Sequence, residues 1–150
     1  MLPYNYQGGK VMKKILILLL ILNNFILANV AIVKKMTGTV NIKRNNKTIT
    51  LKVGKTLNNG DIIITKKKSS IGITFDDGSR LSLGEKAIFV IKKFKVKPST
   101  KEYDVDLDLK KGKAVFSSGK VGKLAPKSVK FRIPQGIIGI RGTKFAVEAK

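Results

Sequence analysis

The 150-residue chain has no cysteine, no histidine and no tryptophan, and it sets 9 acidic residues against 31 lysines and arginines. Without cysteine there is no disulfide framework, no thiolate metal site and no thiol nucleophile. Without histidine there is no imidazole ligand and no Ser-His charge system. The shortage of acid leaves a formal net charge of +22, which attracts phosphate, lipid A or other polyanions over about a Debye length. Arginine is scarce too: Arg44, Arg80, Arg132 and Arg141 are the only ones, so the planar fork that reads base edges is thinly supplied and nucleic acid is not an expected partner. Lysine, isoleucine and asparagine enrichment together also reads as a genome-composition bias. Hydrophobic residues at 43% and charged residues at 27% fit one globular domain with a modest core.

Met12, Lys13 and Lys14 form a short basic region, followed by the apolar run Ile15 to Leu22, then Asn23 and Asn24, then Phe25 to Ala28. That order is a secretory signal, with cleavage expected after Ala28. A membrane-spanning helix needs about 20 apolar residues, and the two asparagines interrupt this run, so an uncleaved inner-membrane anchor is the minor alternative. No lipobox cysteine exists, which excludes a lipoprotein. Met12-Lys13-Lys14 reads as a complete beginning, so Met12 is a possible true start. The expected organisation is a signal peptide over residues 1–28 and a basic, periplasmic domain over residues 29–150. Contact with the membrane comes only through the export signal.

From Val33 onward the apolar pattern has period two, broken by turn residues and without a sustained helical period. The fold expected is all-β, one compact domain of short antiparallel strands arranged as a sandwich, a roll or a solenoid-like stack. Three hairpins can be written. Asn45-Asn46 as a two-residue turn sets Ile42 against Ile49 and Val40 against Leu51. Asp77-Gly78-Ser79 as a three-residue loop, with Gly78 left-handed, sets Phe75 against Leu81, Ile73 against Leu83, and Asp76 beside Arg80. A loop over residues 98–103 sets Lys97, Lys95 and Lys93 against Asp104, Asp106 and Asp108, with Val96 meeting Val105 and Phe94 meeting Leu107. Pro98 removes a ladder donor where that strand ends. Further strands are expected at residues 61–65, 87–91, 113–117, 127–133 and 144–148, and residues 119–126 read as an exposed loop.

Asp104-x-Asp106-x-Asp108 invites a calcium reading, but Leu109 stands where the loop glycine belongs and Val115 where the bidentate glutamate belongs. The facing lysines are a sufficient partner, so no metal is expected. Gly136, Gly139 and Gly142, with Arg141 and Thr143, could form an anion nest. The favoured reading is a tight backbone crossing with Ile137, Ile138 and Ile140 packed inward. No P-loop spacing occurs. The adjacent acids Asp76 and Asp77 are explained by a hairpin tip. No nucleophile, base and orienter can be assembled, so neither an enzyme nor a cofactor is expected.

The order Gly38-x-Val40, Gly54-x-x-Leu57-x-x-Gly60-Asp61-x-Ile63-x-Thr65, Ser69-Ser70, then Phe75-x-Asp77-Gly78-Ser79-x-Leu81-x-Leu83 resembles the FecR domain. The resemblance continues through Leu107-x-Leu109-x-x-Gly112 and closes at Pro134-x-Gly136-x-x-Gly139-Ile140-Arg141-Gly142-Thr143-x-Phe145-x-Val147, spanning about Met36 to Glu148. It implies an extracytoplasmic β-rich binding or signalling module. The family's namesakes sense iron-citrate uptake and relay it to a cytoplasmic sigma factor through an inner-membrane helix. Here only Met1 to Lys14 precede the apolar run and no second signalling domain follows Lys150, so a direct relay is not expected. The family usually adds at least one strand after Phe145, which leaves a truncated or split gene open. The resemblance makes Asp77, Gly78, Gly139, Arg141, Gly142 and Thr143 candidate binding residues, with a structural role as the alternative. Expected partners are an envelope protein or cell-wall component, contacted through a strand edge or loop face, or else an envelope polyanion such as lipopolysaccharide.

Overall fold

A computed structural model describes residues 8–21, 29–141 and 144–150. Helix α1 runs Gly8–Ile21, through the basic triplet and most of the apolar run. The expected cleavage point at Ala28 lies outside the described residues. Among those residues, no helix is long and apolar enough to cross a membrane.

The remainder is a curled sheet of twelve strands, mostly antiparallel: β1 (Asn29–Thr37), β2 (Val40–Arg44), β3 (Lys47–Thr50), β4 (Thr56–Asn58), β5 (Ile62–Thr65), β6 (Ser70–Phe75), β7 (Arg80–Leu83), β8 (Ile88–Lys97), β9 (Glu102–Ser117), β10 (Val129–Ile133), β11 (Gly136–Ile138) and β12 (Lys144–Ala149). A short helix α2 (Lys120–Leu124) lies between β9 and β10. The 16-residue β9 organises everything. Its first half pairs with β8 and, in parallel, with β10; its second half pairs with β7 and β12. One curved half of the sheet therefore runs β3-β2-β5-β8-β9-β10-β11, and the other runs β4-β1-β6-β7-β9-β12.

The inner faces of the two halves share one core. Phe116 of one half lies 5.8 Å, centroid to centroid, from Phe131 of the other, and Phe75 stacks on Phe94 at 4.2 Å. Phe89, Phe116, Phe131, Leu107 and Leu109 are essentially inaccessible to solvent. Each large side chain buried in this way contributes about 1.5–3 kcal/mol. The alternation that places them inside is the period-two pattern of the sequence.

The first hairpin stands as expected, with Ile42 opposite Ile49, the Leu51 amide bonded to the Val40 carbonyl at 2.9 Å, and Asn45 and Asn46 at φ 50° and 60°. The second is shifted by two residues. Ile73 faces Leu81, Ile71 faces Leu83, and the turn Asp76-Asp77-Gly78 is closed by Phe75 N–H donating to the Ser79 carbonyl at 2.8 Å. Arg80 consequently stands opposite Thr74, and the expected Asp76–Arg80 pair is not formed among the described residues. Because the shift is even, the apolar faces are preserved. What selects the register is the need to turn Asp77 and Ser79 inward.

The third hairpin is also shifted by two. Lys97 faces Glu102, Lys95 faces Asp104 and Phe94 faces Val105, and a bulge between Ile91 and Lys93 changes the register beyond. Pro98–Thr100 forms a 3-10 turn and Lys101 takes φ 53°, which shortens the connection and brings Glu102 into the ladder. The segments expected at 87–91 and 113–117 are not separate strands: they continue into β8 and β9. Three strands were not expected at all: β1 before Val33, β4 and β11. Residues 119–126 are not simply an exposed loop either, since they contain α2 and its buried Val121.

Candidate functional site

Four of the candidate residues are described, and they divide into two groups. Asp77 and Gly78 sit in the β6–β7 turn, with Asp77 only 5% exposed. Its Oδ1 accepts the Ser79 amide at 2.8 Å and its Oδ2 accepts the Val121 amide at 3.0 Å. Its backbone carbonyl takes the Lys120 amide at 3.0 Å, while Ser79 Oγ takes the Gly119 amide at 2.8 Å. One acidic side chain and its turn thus hold the start of α2. Gly78, at φ 84°, makes the turn possible without a β-carbon penalty.

Gly139 and Arg141 follow β11 and are remote from that turn in bonding terms: among the described residues no hydrogen bond or ion pair joins the two groups. A β-carbon on Gly139 would meet nothing within 4 Å. Arg141 is exposed, while Gly142 and Thr143 lie outside the described residues. The inward packing expected of the three isoleucines holds for Ile138 and Ile140, which pack on the core, but Ile137 is 56% exposed on the outer edge of the β10–β11 hairpin.

A second buried acid escaped the sequence reading as an individual site. Asp61 is fully buried and receives both Arg44 Nε at 2.8 Å and Arg44 Nη2 at 2.6 Å, with the Asn58 amide on Oδ2 at 2.8 Å. The bidentate bond to Asp61 raises the Arg44 pKa further above its usual value, against the effect of burial. The Gly60-Asp61 dipeptide was the available signal.

On the acidic strand face each aspartate is paired with a basic side chain. Asp104 bonds Lys93 at 2.7 Å, Asp106 holds Arg132 through Nε at 2.6 Å and Nη2 at 3.0 Å, and Asp108 lies 2.7 Å from Lys110 and 3.4 Å from Lys92. The expected partners Lys95–Asp106 and Lys93–Asp108 are therefore replaced, because the two-residue shift moves each lysine along the ladder. The Arg132 bond is the main reason the Asp106 carboxyl sits below its ordinary range. Among the described residues no group of three or more acidic side chains is arranged to hold a metal ion.

The edge of β12 that has no strand partner among the described residues is the remaining candidate. This strand pairs with β9 from Lys144 opposite Ser117 to Ala149 opposite Gly112, and with no other strand among the described residues. Its side chains alternate: Phe145, Val147 and Ala149 turn to the core, and Lys144, Ala146 and Glu148 face solvent. The outer N–H and C=O groups of an edge strand are a template for a further strand.

No curated protein and no solved structure matches the chain significantly. The profile of the family described as FecR protein matches residues 61–150. The matched stretch takes in Asp61, the Asp77 turn, all of β9 and the whole of β12. By that match the chain belongs to the FecR family, whose members are regulatory and signalling proteins.

Proposed function

We propose that the chain is an exported, non-catalytic regulatory module of the FecR type, which acts in the periplasm by accepting a strand of an envelope protein on the free edge of β12. The observation that carries this reading is the edge itself. β12 has one paired side and one open side, and its core-facing residues fix its register so that the open side is presented in a defined frame. Main-chain hydrogen bonds would supply affinity, and Lys144, Ala146 and Glu148 would select among partner strands. Export is supported by the basic-then-apolar order from Met12 and by the first strand beginning at Asn29. The absence of catalysis is supported by the want of histidine and cysteine and by the buried acids Asp61, Asp77 and Asp108, each bonded to backbone amides or to basic side chains.

A photo-crosslinking residue placed at Ala146 tests the reading in intact cells. The expected result is one dominant adduct to an envelope protein, lost when Val147 is replaced by proline in a chain that keeps its β-sheet circular dichroism. Adducts of equal yield from Thr50, on the opposite edge of the sheet, would overturn it, as would recovery of the chain only from the cytoplasm.

A further inference from the structure

The acids of this chain are unevenly placed. Asp104, Asp106, Asp108 and Glu102 line the β8–β9 ladder, where each meets a lysine or Arg132. Asp61 is bound to Arg44, Asp77 is enclosed, and Glu85 accepts the Lys68 amide at 2.6 Å. Asp76 and Glu148 line other clefts. On the outer face of the half built from β1, β6, β7, β9 and β12, Glu148 stands opposite Lys113, and the positive charge nearer Ser117 has no acid among the residues lining its cleft. That cleft, of about 320 Å³, is lined by Lys35, Arg80, Ser82, Val115, Ser117 and Lys144.

Strand register builds this cleft. Ser117 lies between Arg80 on β7 and Lys144 on β12 as direct cross-strand neighbours, and Ser82 stands opposite both Val115 and Gly72. Lys35 reaches in from β1 over Gly72, with its Cγ only 3.1 Å from where a β-carbon on that glycine would sit. The floor is therefore made of small side chains, walled by three long cations. Among the described residues none of the three cations is in an ion pair.

We infer that this cleft binds a phosphorylated saccharide. A phosphate monoester brings nearly two negative charges and three acceptor oxygens to one point, which suits a guanidinium and two ammonium groups converging from different strands. Ser82 and Ser117 offer hydroxyls that can both donate to and accept from sugar hydroxyls. Val115, 36% exposed, gives the C–H face of a sugar ring an apolar surface. A small recessed floor admits a single ring more readily than a planar bilayer. The cleft shares Lys144 with the β12 edge, but the inference does not need that edge to bind a strand, and Lys35 and Arg80 lie on strands that do not form it.

The test is a titration of the full chain with glucose 1,6-bisphosphate, followed by amide chemical shifts. Saturable shifts centred on Ser82, Val115 and Ser117 are expected, with none from glucose. The double variant Lys35→Glu/Arg80→Glu should weaken binding at least about tenfold, and Lys47→Glu/Lys52→Glu, the same charge change in and just after β3, less than about twofold. If the first variant loses its dispersed spectrum, Lys35→Gln/Arg80→Gln takes its place. Equal losses in both variants would overturn the site in favour of diffuse charge. Equal affinity for inorganic phosphate would overturn the saccharide, and binding to phosphatidylglycerol vesicles without binding the sugar phosphate would make this a membrane face instead.

Discussion

Asp77 and Val121 lie 44 residues apart, and the buried Oδ2 of Asp77 accepts the Val121 amide at 3.0 Å. The β6–β7 turn and the start of α2 are thereby one structural unit, held by a carboxylate that no apolar contact could replace.

Asp77→Ala leaves the Ser79 and Val121 amides without their acceptor in a buried place. A loss of about 2–4 kcal/mol is expected, since each unsatisfied buried donor costs roughly 1–3 kcal/mol. Asp77→Asn keeps one acceptor oxygen and should lose less. Urea unfolding of the three proteins checks the order.

Individual glycines should respond to substitution according to their surroundings. Gly119→Ala drives its new β-carbon into the Asp77 carbonyl and the Ser79 amide, and Gly112→Ala, at φ 96°, places it 2.7 Å from Ala87. Both should lower the melting midpoint sharply. Gly139→Ala, with open space around it, should stay within about 0.5 kcal/mol of the parent protein.

The register of the β8–β9 hairpin is checked by double-mutant cycles. Coupling is expected between Asp106 and Arg132 and between Lys93 and Asp104, and none between Lys95 and Asp106. Coupling in the last pair alone would restore the unshifted ladder.

Two acids should move stability in opposite directions with pH. The Asp106 carboxyl is held below its ordinary range, chiefly by the hydrogen bond from Arg132. Its contribution is therefore present above the unfolded carboxylate pKa and lost as pH falls through the lower folded value. Asp76 is pushed upward, first by burial and then by the charge of Asp77. Its ionisation opposes folding once pH rises above the unfolded pKa. Asp106→Asn should accordingly lower the midpoint at neutral pH and flatten the acid limb. Asp76→Asn should raise the midpoint at neutral pH, with the gain vanishing in acid. Thermal melts from pH 2 to 7 read both.

Much of this was legible in the chain. The period-two pattern from Val33 and the Asn45-Asn46 turn are local facts, and they suffice for an all-β domain and its first hairpin, because side-chain alternation and positive φ are set within a few residues. The order of glycines and acids from Gly38 to Val147 sufficed for the family. Registers in the other two hairpins were not legible. Two pairings that differ by an even shift bury the same faces, so hydrophobic pattern cannot separate them.

What separates them is distant. Asp77 turns inward because the α2 amides wait there, and Asp106 leaves the lysine ladder because parallel pairing brings β10 and Arg132 beside it. The open edge of β12 and the acid-free cleft depend likewise on which strands flank β9. The sequence by itself determined strand character, charge balance and family, which depend on local chemistry and residue order. Only the tertiary structure decided register, buried-acid partners and which cations share a face, since each depends on groups that the chain brings together from tens of residues apart.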